Sequence, residues 1–217
     1  MTGLAEIEAA LASERLVMLG GLAPTPPHPP ATRSLLLVGP DNPRFWPHFT
    51  ASREYADNQP DPLDRWSKRV FGAVAGTFGG TAIFPSDGPP YPPFYAWALQ
   101  SGTFFVSPIS LLVHPRDGLM CSLRGALALP LALDFPDPVP SPCNGCETRP
   151  CLSTCPVGAF ETGQYAVTAC HNHLDTPAGS DCMGTGCAAR RACPASQRSG
   201  RNPAQSAFHM RAFHGKR

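Results

Sequence analysis

No stretch of this chain reaches the ~20 consecutive apolar residues that a membrane-spanning helix needs, and the N-terminus offers no apolar core of a signal peptide. Glu6 and Glu8 stand where such a peptide would carry basic residues. Charge is also scarce: 15% of the 217 residues are Asp, Glu, Lys or Arg, and the net charge is +1 with a pI near 7.6. A field that small does not steer a protein toward nucleic acid or anionic lipid. The expectation is a cytoplasmic protein with no nucleic-acid and no membrane partner. The chain also lacks internal repeats, apart from the cysteine spacing described next. Its 27 prolines gather in 24–30, 85–93 and 136–142, with apolar runs between, and so read as connections and rims.

What is abundant is cysteine, and it is concentrated. Eight of the nine cysteines fall in residues 143–193. The first quartet is Cys143-x2-Cys146-x4-Cys151-x3-Cys155-Pro156. The second is Cys170-x11-Cys182-x4-Cys187-x5-Cys193-Pro194. Two cysteine-proline steps in this arrangement match the logic of two-cluster ferredoxins, in which three close thiolates wrap one iron–sulfur cluster and the one before proline crosses to the other. Cys143, Cys146, Cys151 and Cys193 are therefore expected to hold one cluster, and Cys155, Cys170, Cys182 and Cys187 the second. The nuclearity, [4Fe–4S] or [2Fe–2S], is open, most of all for the looser second set. Two all-cysteine zinc sites are the main alternative, and disulfides are disfavoured in a chain with no mark of secretion. Cys121, remote from the rest, reads as a small buried hydrophobe. His171 and His173 follow a candidate ligand and read as solvated groups or donors to the ligands.

The two parts of the chain differ in charge. Residues 1–142 carry 9 basic and 12 acidic side chains, residues 143–217 carry 8 and 4, giving −3 and +4. The pattern in front of the cysteines alternates helix and strand. It predicts an opening helix over 4–18, strands at Ser34–Val38 and Ala82–Phe84, and helices from Asp61 to about Phe78 and over Pro93–Leu99. It also predicts a pair of strands, Ile109–Val113 and Met120–Leu129, joined by a turn at 114–118. The fold class is α+β, with domains at 1–137 and 138–217 and a stiff Pro-rich linker from Asp134 to Pro142. The tail from 202 reads as a helix or a frayed end.

Two stretches carry a resemblance. Asp61-Pro62-Leu63-Asp64-Arg65-Trp66 opens a helix, and Ile109 to Pro130 contains Val113-His114-Pro115-Arg116-Asp117-Gly118 and then Arg124-Gly125. Together they resemble the cobalamin-processing chaperones of CblC type over residues 58–137. That family implies a flavin-reductase or nitroreductase-like α+β sandwich that binds base-off cobalamin and removes its upper axial ligand reductively. It implies His114, Pro115, Arg116 and Gly118 beside the cofactor and Arg124 in the thiol co-substrate pocket. Met120 and Cys121 stand where the family has bulkier aromatic residues, which argues against glutathione as reductant. The cysteine half resembles the cluster domain of epoxyqueuosine reductase and the reductive dehalogenases, a small dicluster ferredoxin-like domain. The combined expectation is reductive cobalamin processing, with electrons from an external reductase or ferredoxin passing through the clusters. A flavin in the same fold, a plain electron carrier, and a cobalamin-dependent reductase using Asp117 as an acid on an organic substrate stand as alternatives.

Overall fold

The computed structural model describes residues 3–24 and 28–215. In chain order it contains α1 (Leu4–Ser13), β1 (Leu16–Leu22), β2 (Ser34–Pro40), α2 (Asn42–Thr50) and α3 (Arg53–Ala56). Next come α4 (Pro62–Thr77), β3 (Thr81–Ile83), α5 (Phe94–Gln100), β4 (Phe105–Val106), β5 (Leu112–Val113) and β6 (Gly125–Leu129). The cysteine-rich part carries α6 (Val167–Leu174), α7 (Ser180–Thr185), α8 (Ala188–Ala192), α9 (Pro194–Gln197) and α10 (Pro203–His214). The class is α+β. Among the described residues no helix is long and apolar enough to cross a membrane. Residues 25–27 of the expected 24–30 linker lie outside the described residues.

The chain divides into two compact units, Met1–Thr103 with Ser122–Val139, and Phe104–Cys121 with Pro140–Arg217. The boundary expected at 137/138 falls close to Val139. Residues 104–121, expected in the first domain, instead fold with the cysteines.

The first unit is built on an antiparallel sheet of order β1-β2-β6-β3. Every residue of β2 and β6 is buried, as their unbroken apolar runs require when both faces are covered. Helix α4 starts at Pro62, whose missing N–H costs nothing in the first turn. It turns Leu63, Trp66, Val70, Phe71 and Val74 inward, as its 3.6-residue periodicity demands. Trp66 meets Phe45 and Phe49 edge to face at 5.3 and 6.0 Å, and those two rings lie parallel at 5.9 Å.

Two expectations in this unit need correction. The opening helix ends at Ser13, because Arg15 takes a left-handed conformation (φ 57°) and Leu16–Leu22 pairs with β2 as a strand. The apolar run that seemed to extend the helix belongs to the sheet. The strand pair at 109–129 does not form either: β5 pairs with β4, whereas β6 starts only at Gly125 and pairs with β2 and β3.

Glu54 is buried in this unit and is held by Arg69, with Nε–Oε1 2.5 Å and Nη2–Oε2 2.9 Å. The Arg69 guanidinium lowers its carboxyl from 4.5 to about 2 against the opposing effect of burial. A folded-state pKa below the unfolded one stabilises the fold above pH 4.5, and that stabilisation is lost as pH falls toward 2. Glu54→Gln is expected to cost about 1–2 kcal/mol at pH 7, a value discounted for solvent reaching Arg69. The deficit should shrink between pH 4.5 and 2, as read from urea titrations at the two ends of that window. A deficit independent of pH would show that the ion pair is not its source.

Candidate metal centres

The segment that carries the first four cysteines has almost no regular structure. Prolines at 140, 142, 150 and 156 deny it backbone donors, and a single 3-10 turn at Pro150–Leu152 is its only helical piece. Its conformation is held by short turns, including Cys146 N to Cys143 O at 3.2 Å and Gly158 N to Cys155 O at 3.1 Å. The other four cysteines sit on or between the short helices. Cys170 is in α6, Cys182 in α7, Cys187 directly before α8, and Cys193 between α8 and α9.

These elements surround two cavities within the second unit. One, of about 450 Å³, is lined by Cys143, Cys146, Cys151 and Cys193. The other, of about 200 Å³, is lined by Cys155, Cys170, Cys182 and Cys187. The grouping by cavity coincides with the grouping by spacing, including both crossings. Cys155 leaves the first three for the second cavity, and Cys193 returns to the first. All eight are free thiols. Among the described residues, no group of three or more His, Cys, Asp or Glu side chains stands in an arrangement that grips a metal ion directly.

Electrostatics follows the same partition. Burial pushes the Cys143 and Cys151 thiols up, and Cys193 adds to both. Burial likewise raises Cys170, with Cys187, Cys155 and Cys182 adding to it and the Tyr165 hydroxyl opposing. The Cys182 thiol is raised by burial against the backbone N–H of Ala188. Four thiolates in one cavity repel one another and favour a polycationic occupant. The Ala159 N–H already donates to the Cys155 sulfur at 3.3 Å, which the small residues of Val157-Gly158-Ala159 permit.

Cys121 lines neither cavity. Its thiol donates to the Leu112 carbonyl at 3.4 Å, and burial pushes it up to about 12, as befits an inert packed cysteine. His173 lines the second cavity, while the His171 ring lies edge-on to Phe213 at 4.7 Å and stacks on His214 at 5.0 Å.

The residues that the resemblance linked to cobalamin do not share one unit. His114, Pro115, Arg116 and Gly118 form a tight turn of the second, closed by His114 N–Gly118 O at 3.1 Å and Gly118 N–His114 O at 2.7 Å. The His114 ring is buried against Phe104 at 4.9 Å. Arg124 belongs to the first unit, where it pairs with Asp64 at 2.6 Å and Ser67 at 3.2 Å beside a cavity of about 300 Å³. Sequence reasoning did not single out Tyr165, Arg190 as a clamp, or Ser196. Their roles rest on pairings that no local pattern reveals. The chain matches no protein-family model, no curated protein and no solved structure.

Proposed function

We propose that this protein is a two-cluster iron–sulfur electron-transfer protein whose second unit is a dicluster ferredoxin-like domain. The observation that carries the proposal is the sorting of eight cysteines into two cavities, four to each, with both cysteine-proline ligands crossing over. A zinc ion would draw its four sulfurs to about 2.3 Å around a single point. The close first quartet and the two cysteine-proline steps favour the iron–sulfur core. When bound, each cluster supplies a one-electron couple. The chain's own part is to hold the sulfurs, exclude water with residues such as Val113, Leu119, Phe160 and Met210, and offer N–H and O–H donors to the thiolates. Arg149 and Arg198 flank the first cavity and Arg190 and Arg201 the second, placing positive charge near anionic clusters.

Anaerobic reconstitution followed by iron and acid-labile sulfide assays tests this reading. About eight of each per chain is expected for two [4Fe–4S] centres, with a brown absorbance that bleaches on reduction. Stoichiometric zinc without sulfide would overturn it.

The resemblance makes the first unit a nitroreductase-like sandwich and cobalamin the electron acceptor, with an external reductase or ferredoxin as donor. The cysteine cavities carry the electron-carrier reading without any further cofactor, so it stands as the core proposal. Cobalamin reduction is its specific extension. Titrating the cluster-loaded protein with cyanocobalamin decides between them. A shift to the base-off spectrum and conversion to cobalt(II) on reduction supports cobalamin processing, and an unchanged spectrum leaves a carrier for another acceptor.

A further inference from the structure

The rims of the two cavities differ. Around the first, Gly145, Glu147, Thr148, Arg149, Pro194 and Arg198 line the wall and are exposed, so an occupant of that cavity lies close to solvent. Around the second, the exposed lining is apolar: Pro156, Val157 and Phe213. Two arginines against one glutamate leave the first rim cationic, in a stretch of chain, residues 143–217, that carries 8 basic and 4 acidic side chains. Elsewhere arginines hold carboxylates, as Arg69 does Glu54, Arg124 Asp64 and Arg191 Asp181. Arg149 and Arg198 have no acidic partner among the described residues. Arg149 is also held in a conformation that its sequence opposes. It is left-handed, with φ 40° and ψ 54°, which is costly for a residue with a Cβ, and the proline after it favours extended backbone instead. Strain kept at an exposed charge with no internal partner points to a partner outside the chain.

We infer that the rim of the first cavity, through Arg149 and Arg198, is the docking site of a small acidic one-electron carrier protein. The inference rests on the two-cluster reading. One electron leaves the carrier's reduced centre, which is oxidised, and enters the first cluster, which is reduced; no bond is made or broken and no proton moves. Rim charges of this kind speed the encounter by steering, and their effect fades as salt screens them. Two cations are too few for a nucleic-acid backbone, where several phosphates must be neutralised together. The exposed lining of the second cavity offers an acidic surface no charge to pair with.

The test is anaerobic stopped-flow reduction of the full-length, cluster-loaded protein by a reduced plant-type [2Fe–2S] ferredoxin, an acidic carrier. The second-order rate constant of the wild type should fall steeply as ionic strength rises. In Arg149→Gln/Arg198→Gln with iron and sulfide at wild-type levels, it is expected to be about tenfold lower at low salt and nearly independent of salt. Arg211→Gln removes an exposed charge of the same unit, in the last turn of α10, and should leave the rate unchanged. Photoreduction by deazaflavin, which requires no docked protein, should run at the wild-type rate in all of them. If the double variant fails to load iron, Arg198→Gln alone, outside the first cysteine segment, should show a smaller loss of the same kind. A double variant that keeps both clusters and the wild-type rate would overturn the docking site. A wild-type rate that ignores or rises with salt would overturn the acidic carrier. Unchanged ferredoxin rates together with lost binding of a short DNA duplex would assign the rim to a nucleic acid instead. A wild-type protein without iron and sulfide would overturn the cluster reading and this inference with it.

Discussion

Cys155→Ala and Cys151→Ala, four positions apart, should remove different clusters. Cys193→Ala, more than forty positions downstream, should remove the same one as Cys151→Ala. Each variant is expected to lose about half of the iron and sulfide and one of two magnetic signals, since an all-cysteine cluster that loses a thiolate is labile. The expectation follows from the cavities: Cys151 and Cys193 line one, Cys155 and Cys187 the other. Cys187→Ala should therefore reproduce the spectrum of Cys155→Ala. Identical losses from Cys151→Ala and Cys155→Ala would mean that neighbouring cysteines serve one cluster, and the crossed arrangement would be wrong. Loss of all iron from every variant would mean that neither centre assembles without the other. If cobalamin binds the first unit, its binding should survive in Cys187→Ala.

The closeness of the first cysteines was legible in the sequence because it is a short-range fact, whereas the placing of Cys193 in the same cavity as Cys151 spans 42 positions. Three cysteines within nine residues can reach one centre, and a proline turns the chain away after the next. Helix α4 was legible for a similar reason, as Asp61-Pro62 marks its start and its apolar residues recur at helical spacing. Strand β2 announced itself as an apolar run too short for a helix. The end of α1 was not legible, because Leu16 fits both a helical face and a strand, and the pairing of Leu16–Leu22 with Leu35–Pro40 decides the matter. The two strands expected around the 114–118 turn failed for a deeper reason. The turn is real, but after Cys121 the chain passes to the other unit, where β6 pairs with β2 and β3 instead of with β5. What draws residues 104–121 to the cysteines is a set of contacts about seventy positions away in sequence. Arg190 Nε donates to the Leu119 carbonyl at 2.5 Å, and the Ser196 hydroxyl accepts from the Leu119 N–H at 2.8 Å. No local periodicity encodes such pairings. The motif that suggested a cofactor loop is, in the fold, a buckle on the segment that carries Cys187 and Cys193.

That buckle predicts a large effect for Gly118→Ala. Gly118 has φ +57°, a left-handed conformation that costs a residue with a Cβ about 1–2 kcal/mol. The added Cβ would also lie 2.6 Å from the Ser196 hydroxyl and 2.7 Å from the Ala195 carbonyl carbon, too close for either atom to tolerate. Ser196 is buried, and the Ala195 atom is backbone, so relief requires the 118–121 segment and α9 to move apart. Such a shift breaks the Leu119–Ser196 bond and displaces the start of α9, which follows directly on Cys193. The expected loss is on the order of 2–4 kcal/mol of unfolding free energy, with the first cluster the more easily lost if Cys193 is its ligand, as proposed. Gly163→Ala separates the two causes: φ there is +75°, yet nothing lies within 4 Å of the new methyl group. It should cost only the backbone strain, about 1 kcal/mol, and leave iron content unchanged. Denaturant titrations of both variants, run beside iron assays, read the difference. Equal destabilisation by the two would show that Gly118 is needed for its conformation alone and that the 114–121 turn does not hold the cluster segment in place.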